Sequence, residues 1–407
     1  MRYGWRVNIS LIAGITCLLL ISGCSSKNTL VSLLKKDAWL MQIANEPKHE
    51  VQIRYTHVNL NDTSFISYEF SLDPHRYFYP ASTIKMPVAF LALEKIKILN
   101  DEGIMLSRKD DMLTVSNRPA QTPAFRDSTT ASGKPNLERY IQKLFAVSDN
   151  DAYNRLYEFL GADYINETLN SKGVFKGSVI NHRVGVSGYS YDENRHTNNV
   201  RFFRDGKIVY DKPPGEDKIS WVHNASGSVK GSAYIDADGN LIREPFDFSR
   251  KNFYTIRDME STLMRVIFPE KFREEERFNL RDEDYVFLRS ALSDVPGKYP
   301  FYAQDSTEYY DSYVKFLMFG DSKLPIPEQI RIYNKVGIAY GYMTDCAFIE
   351  DRQANIAFFL TATIHVNENG TYNDGNYEYD TTGMPFLARL GRMIYDYELS
   401  KAKVKNR

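Results

Sequence analysis

A chain of 407 residues, 43% hydrophobic and 25% charged, has a globular balance and enough length for one large domain or two smaller ones, which excludes a largely disordered protein. The formal net charge of −1 supplies no field for steering nucleic acid. The charged stretch PEKFREEERFNLRDED mixes signs as solvated helices do, so nucleic acid is excluded as a partner.

The first residues, MRYGWRVNISLIAGITCLLLISGCSS, place two arginines before an apolar run that ends in Ile21, Ser22, Gly23 and Cys24. The run is short for a membrane span. Residues 1–24 resemble a bacterial lipoprotein signal, in which the cysteine becomes the lipidated first residue of the mature chain. That resemblance implies lipidation at Cys24 and a protein anchored in the cell envelope, facing the periplasm or the exterior. Of three cysteines, Cys17 leaves with the signal and Cys24 carries lipid, so Cys346 remains a free thiol and no disulfide forms within one mature chain.

Residues 25–48 form an N-terminal helical segment, since LVSLLKKDAWLMQIA has helical spacing. A domain over 49–400 follows. HEVQIRYTHVNL and TSFISYEFSL read as two strands and lead into YPASTIK, which holds Ser82 and Lys85. LERYIQKLFAVSDNDAYNRLYEFLG reads as two helices around a polar break, Ser148 to Asn150, with Leu137, Tyr140, Ile141, Leu144 and Phe145 on the apolar face of the first. Within about 197–252, VRFFRDGKIVY and SAYIDADGNLIRE each read as two short strands about an Asp-Gly turn, giving a pair of inserted hairpins that could cover or extend a cleft. Asp236, Asp238 and Asn240 alternate as calcium-loop ligands do, but a hairpin turn explains them. IRIYNKVGIAY, MTDCAFIED and ANIAFFLTATIHV then read as strands, and GMPFLARLGRMIYDYELSK as a closing amphipathic helix. Strands at both ends of the chain with helices between them predict an α+β fold, an antiparallel sheet packed with a helical subdomain.

Ser82 could be a nucleophile, because a serine needs a base and Lys85 lies three residues on, on the same helical face. It could equally be a helix N-cap, and the same four-residue pattern occurs at Ser32 to Lys35 and at Ser400 to Lys403. Ser148, with Asp151 three residues later, could form a capping box, or it could relay a proton while Asn150 binds an amide and Lys85. Lys335 could be a solvated strand-end lysine, or a second cation that favours neutral Lys85; Gly337 would let another chain segment approach the backbone.

Taken together, YPASTIKMPV, AVSDNDAYNRLYEFLG and NKVGIAYGYMTDCAFI present S-x-x-K, S-D-N and K-x-G in order, with TIRDMESTLMRVI before the last strands. In these the chain resembles the class A β-lactamase and penicillin-binding superfamily of serine acyl hydrolases, over roughly residues 50–190 and 253–397. The resemblance implies a five-stranded antiparallel sheet flanked by helices, with an all-helical subdomain and the site between them. It implies that Ser82 attacks the carbonyl, that Lys85 and Ser148 move protons, that Asn150 and Gly337 line the substrate's place, and that Lys335 attracts a substrate carboxylate. The oxyanion would meet the backbone N–H groups of Ser82 and Ile338.

Two positions depart from the family. Val336 stands where a Thr or Ser is usual, which removes a hydroxyl for the substrate carboxylate, a contact worth roughly 1.5–3 kcal/mol. The loop NHRVGVSGYSYDENRHTNN lacks the family's pattern around its deacylating glutamate and offers only Asp192 and Glu193, of which Glu193 is the candidate base. The substrate expected is a small-molecule β-lactam or a peptidoglycan-like peptide. The alternatives are a D,D-peptidase or other envelope acyl hydrolase, and a noncatalytic envelope-binding protein. No metal and no organic cofactor is expected, since no H-E-x-x-H or other paired histidine spacing occurs.

Overall fold

The computed structural model describes residues 28–186 and 188–405. Two short helices open it, α1 (Thr29–Leu34) and α2 (Ala38–Asn45). The sequence reads as one helix here, but the Asp37 carboxylate accepts the Leu40 N–H at 3.1 Å and so starts a second one. Strands β1 (Gln52–Asn59) and β2 (Ser64–Phe70) lead to the long helix α3 (Lys85–Asp101). After strand β3 (Asp111–Val115) come the helices α4 (Leu137–Ala146), α5 (Asn150–Leu160) and α6 (Ala162–Ser171). Strands β4 (Asn199–Arg204) and β5 (Lys207–Lys212) form a hairpin, followed by α7 (Ile256–Ile267) and α8 (Asp282–Ser293). Strands β6 (Ile330–Ala339), β7 (Tyr342–Asp351) and β8 (Ile356–His365) precede the closing helix α9 (Met384–Lys405).

The main sheet runs β6-β7-β8-β1-β2, antiparallel throughout. Alternation along its strands sorts side chains into two cores. On β8, Ala357 and Phe359 face the core beside α3, whereas Phe358, Leu360, Ala362 and Ile364 face the one filled by α1, α2 and α9. Both faces are therefore covered, which explains why IAFFLTATIH is buried at every position. Each such Phe or Leu contributes about 1.5–3 kcal/mol by leaving water. This is the α+β architecture of a five-stranded antiparallel sheet with flanking helices. Leu137, Tyr140, Ile141, Leu144 and Phe145 of α4 pack into the helical side of the first core.

The insertion is built of short pairings. Asp205 and Gly206 both have positive φ, 51° and 77°, the turn that closes β4 onto β5, and β3 adds to the free edge of β4. Ala233–Ile235 pairs with Leu241–Ile242. The Asp236 carboxylate between them accepts the backbone N–H groups of Asp238 and Asn240, both within 2.9 Å, so it is spent on the turn. Among the described residues no group of three or more metal-ligating side chains occurs, and no helix is long and apolar enough to cross a membrane. Cys346 is buried on β7 as a free thiol. The signal and Cys24 lie outside the described residues.

Candidate active site

Ser82 sits in a single 3-10 turn, Ala81–Ile84, that runs directly into α3. It is not the cap of that helix, because no side-chain cap bond is made there and Thr83, not Ser82, returns its hydroxyl to the Pro80 carbonyl. Ala81, just before it, has φ 46°, a left-handed conformation that costs a non-glycine residue about 1 kcal/mol or more and aims the next side chain. Lys85 opens α3 and is wholly buried.

The polar break between α4 and α5 comes back to this turn. Asp149 caps α5, its carboxylate accepting the Ala152 N–H at 2.8 Å, so Ser148 is free of capping duty. Ser148 adopts φ 58°, and its hydroxyl lies between two lysines, 3.4 Å from Lys85 Nζ and 2.8 Å from Lys335 Nζ. Lys85 also donates to the Ser148 carbonyl and, at 2.6 Å, to Asn150 Oδ1. Among the described residues no hydrogen bond reaches the Ser82 hydroxyl itself. Lys335 gives a second bond to the Val336 carbonyl at 2.8 Å.

Gly337 explains how β6 comes this close. A Cβ built there would lie 2.5 Å from the Pro80 carbonyl and 3.0 Å from Ser82 N, so only glycine lets the strand backbone meet the Ser82 turn. The next residue, Ile338, is 40% exposed, and it lines with Ser82, Ala81 and Asn150 a cavity of about 530 Å³. The structure thus brings together Ser82, Lys85, Ser148, Asn150, Lys335, Gly337 and Ile338 from three distant segments of the chain.

Electrostatics follow from burial. Loss of water lowers the Lys85 pKa to about 7, with the charge of Asp149 acting the other way. Lys335 is pushed well below the ordinary lysine value by burial first and by Lys85 second. Two buried lysines 3.4 and 2.8 Å from one hydroxyl favour neutral amine, the form that accepts a proton.

Two expectations are corrected. Glu193 does not line the cavity. It lies in the short turn Tyr191–Asn194, where both carboxylate oxygens accept from Arg118 Nε at 2.9 and 3.0 Å, and Asp192 beside it is exposed. Val336 also points away from the site. Alternation that turns Lys335 and Gly337 toward Ser82 turns Val336 into the opposite core, 2% exposed among Ile332, Met343 and Phe386. A hydroxyl there would meet apolar side chains, not substrate.

The sequence reading missed the remaining walls. Tyr79, Tyr340, Tyr377 and Tyr379 line the cavity with Val184, Gly185 and Asn373. The run NDGNYEY at 373–379, a turn with two aromatics just after the last strand, was the available signal. Gly185, at φ 63°, would drive a Cβ into the Asn150 side chain, so it brings the loop against the α5 N-terminus. Also missed was a buried polar group behind β6: Lys315 donates to Asn334 Oδ1 at 2.7 Å, and Asn334 donates to Asp345 at 2.8 Å. Burial raises Asp345 to about 6. A larger cavity of about 930 Å³ lies elsewhere, against Glu94, Lys172 and Arg277, and holds none of the Ser82 residues.

Residues 39–209 match the model of the family described as the β-lactamase enzyme family. No curated protein matches the chain. Similar solved structures include PBP-A at 15% identity and TM-score 0.50, covering 90% of this chain and 96% of that one. A PBP-A variant in an acyl-enzyme complex with penicillin G is 16% identical with TM-score 0.50, over 90% and 96% of the two chains. A variant class A β-lactamase of the last common ancestor of Gram-negative bacteria is 14% identical with TM-score 0.50, over 89% and 97%. Likeness at these identities shows the shared fold.

Proposed function

We propose that this chain, residues 39–209 of which match the β-lactamase enzyme family, is a serine acyl hydrolase that opens β-lactam rings through an acyl-enzyme on Ser82. The observation that carries the reading is the Ser148 hydroxyl held between Lys85 and Lys335, at a turn against which Gly337 presses the β6 backbone. Ser82 Oγ attacks the acyl carbon as its proton passes to neutral Lys85. The Ser82–acyl bond forms, the C–N bond breaks, and the proton reaches the leaving nitrogen through Ser148. The N–H groups of Ser82 and Ile338 are the donors for the oxyanion. Water then attacks the ester and returns the proton to Ser82.

The test is intact mass after exposure to a penicillin and a cephalosporin. An adduct of one acyl group on Ser82 is expected; neither adduct nor product would end the reading. A second reading, a D,D-peptidase that forms lasting adducts with β-lactams, is favoured by the absence of any carboxylate from the lining of the cavity among the described residues. The lifetime of the adduct separates the two. Attachment to the envelope through lipid on Cys24 is also proposed. Lipid labelling that disappears in Cys24→Ser supports it, and unchanged labelling rules it out.

A further inference from the structure

We infer, resting on the acyl-transfer reading above, that the Ser82 cavity selects an acyl donor with no free carboxylate beside the scissile carbonyl, one that presents a flat apolar or aromatic face instead. None of the described residues lining the cavity carries a charge. The two lysines nearby are buried and already bonded within the site. Lys335 is 1% exposed and bound to Ser148 and the Val336 carbonyl; Lys85 is 0% exposed and bound to Ser148 and Asn150. Burial also pulls both toward the neutral amine. A carboxylate entering this space gives up water and meets no charged wall, only neutral donors: the amides of Asn150 and Asn373 and the hydroxyls of Ser82 and the tyrosines.

What the walls do offer is fixed aromatic surface. Tyr340 meets Tyr79 edge-on, ring centroids 4.9 Å apart at 88°. It is backed by Phe246 and Phe248 of the insertion at 5.5 and 5.3 Å. Tyr377 and Tyr379, also in the lining, lie 5.1 Å apart. Their hydroxyls accept the backbone N–H groups of Asn373 and Gly341, each at 2.8 Å, which holds both rings in place. Rings that are already immobilised lose little freedom when a flat group packs on them. The insertion therefore serves the site from behind: it supports the Tyr340 wall.

The experiment compares benzylpenicillin with its methyl ester on the full protein, reading the rate of Ser82 adduct formation by intact mass. The two share one β-lactam amide and differ only in the carboxylate. A neutral alkyl fluorophosphonate, which bonds to Ser82 Oγ with loss of fluoride, is the control, with Ser82→Ala as its blank. The ester is expected to acylate faster by at least about tenfold, the factor that one charge-assisted contact is worth. Equal rates, a faster free acid, or fluorophosphonate labelling with no adduct from the ester would overturn the inference. No labelling by any of the three reagents would instead remove Ser82 as the nucleophile, and the functional reading with it. Ile338→Arg, at a lining position exposed enough to carry a charge, should turn the preference toward the acid, as should Tyr377→Arg. An unchanged ratio in both folded variants would show that wall charge does not set the choice.

Discussion

The Ser82 centre and the turn that carries Glu193 are both polar, both flank the helical subdomain, and differ in what their charges are doing. In the centre, two lysines share one serine hydroxyl out of water and, among the described residues, neither forms an ion pair. At the turn, Glu193 is 13% exposed and paired with Arg118, 45% exposed, an ordinary ion pair at the rim. The first arrangement pulls its amines toward the neutral form that can accept a proton; the second ties a loop to its neighbour. The difference teaches that, on the proposed reading, the site holds the groups for forming an acyl-enzyme, whereas no carboxylate lines the Ser82 cavity among the described residues to assist its hydrolysis.

The severest way to break that comparison is Ser82→Ala. It should lower adduct formation by at least about a thousandfold while leaving the thermal midpoint unchanged, and an active, acylating variant would overturn the assignment. To sharpen it, Val184→Glu places a carboxylate on the cavity wall beside Gly185. Decay of the adduct should quicken by about 100-fold or more if a positioned base is all that deacylation lacks. Unchanged decay would mean that water access, not the base, is limiting.

The pH dependence of acylation probes the buried lysines. With Lys85 held at about 7, the proton-accepting form grows as pH rises, so the rate should climb about tenfold per unit below that value and level above it. Asp149→Asn keeps a capping side chain but removes the charge that opposes the shift, and should move the inflexion to lower pH. The folded state also binds fewer protons on Lys85 than the unfolded chain between about 7 and the ordinary lysine value of 10.5, so this residue's contribution to stability rises with pH across that window.

Smaller effects separate site from scaffold. Val336→Thr should lower stability by about 1–3 kcal/mol, because its hydroxyl is buried without a partner, and should not improve capture of a penicillin. The smallest change is expected from Glu193→Gln: a steady rate within about twofold of the parent and a loss of at most ~1 kcal/mol, as for other exposed ion pairs. A large fall in deacylation would restore Glu193 as the base.

The order of the motifs, the strands at both ends of the chain and the two helices around Ser148 were legible in the residues alone, because backbone periodicity and capping act over a few positions. So was the gathering of Ser82, Ser148 and Lys335, though only through a resemblance, since 187 positions separate Ser148 from Lys335 and no local rule spans that gap. Tertiary structure alone decided the rest. It decided that Ser148 takes a left-handed conformation while Asp149 does the capping, that strand alternation sends Val336 into the far core, and that Arg118 holds Glu193 away from the cavity. It also built the aromatic wall from Tyr79, Tyr340, Tyr377 and Tyr379, with two phenylalanines of the insertion behind it. The physical reason is common to all four: which way a side chain points, and whether a charge keeps its water, depends on what packs against it, and those partners lie tens to hundreds of residues away.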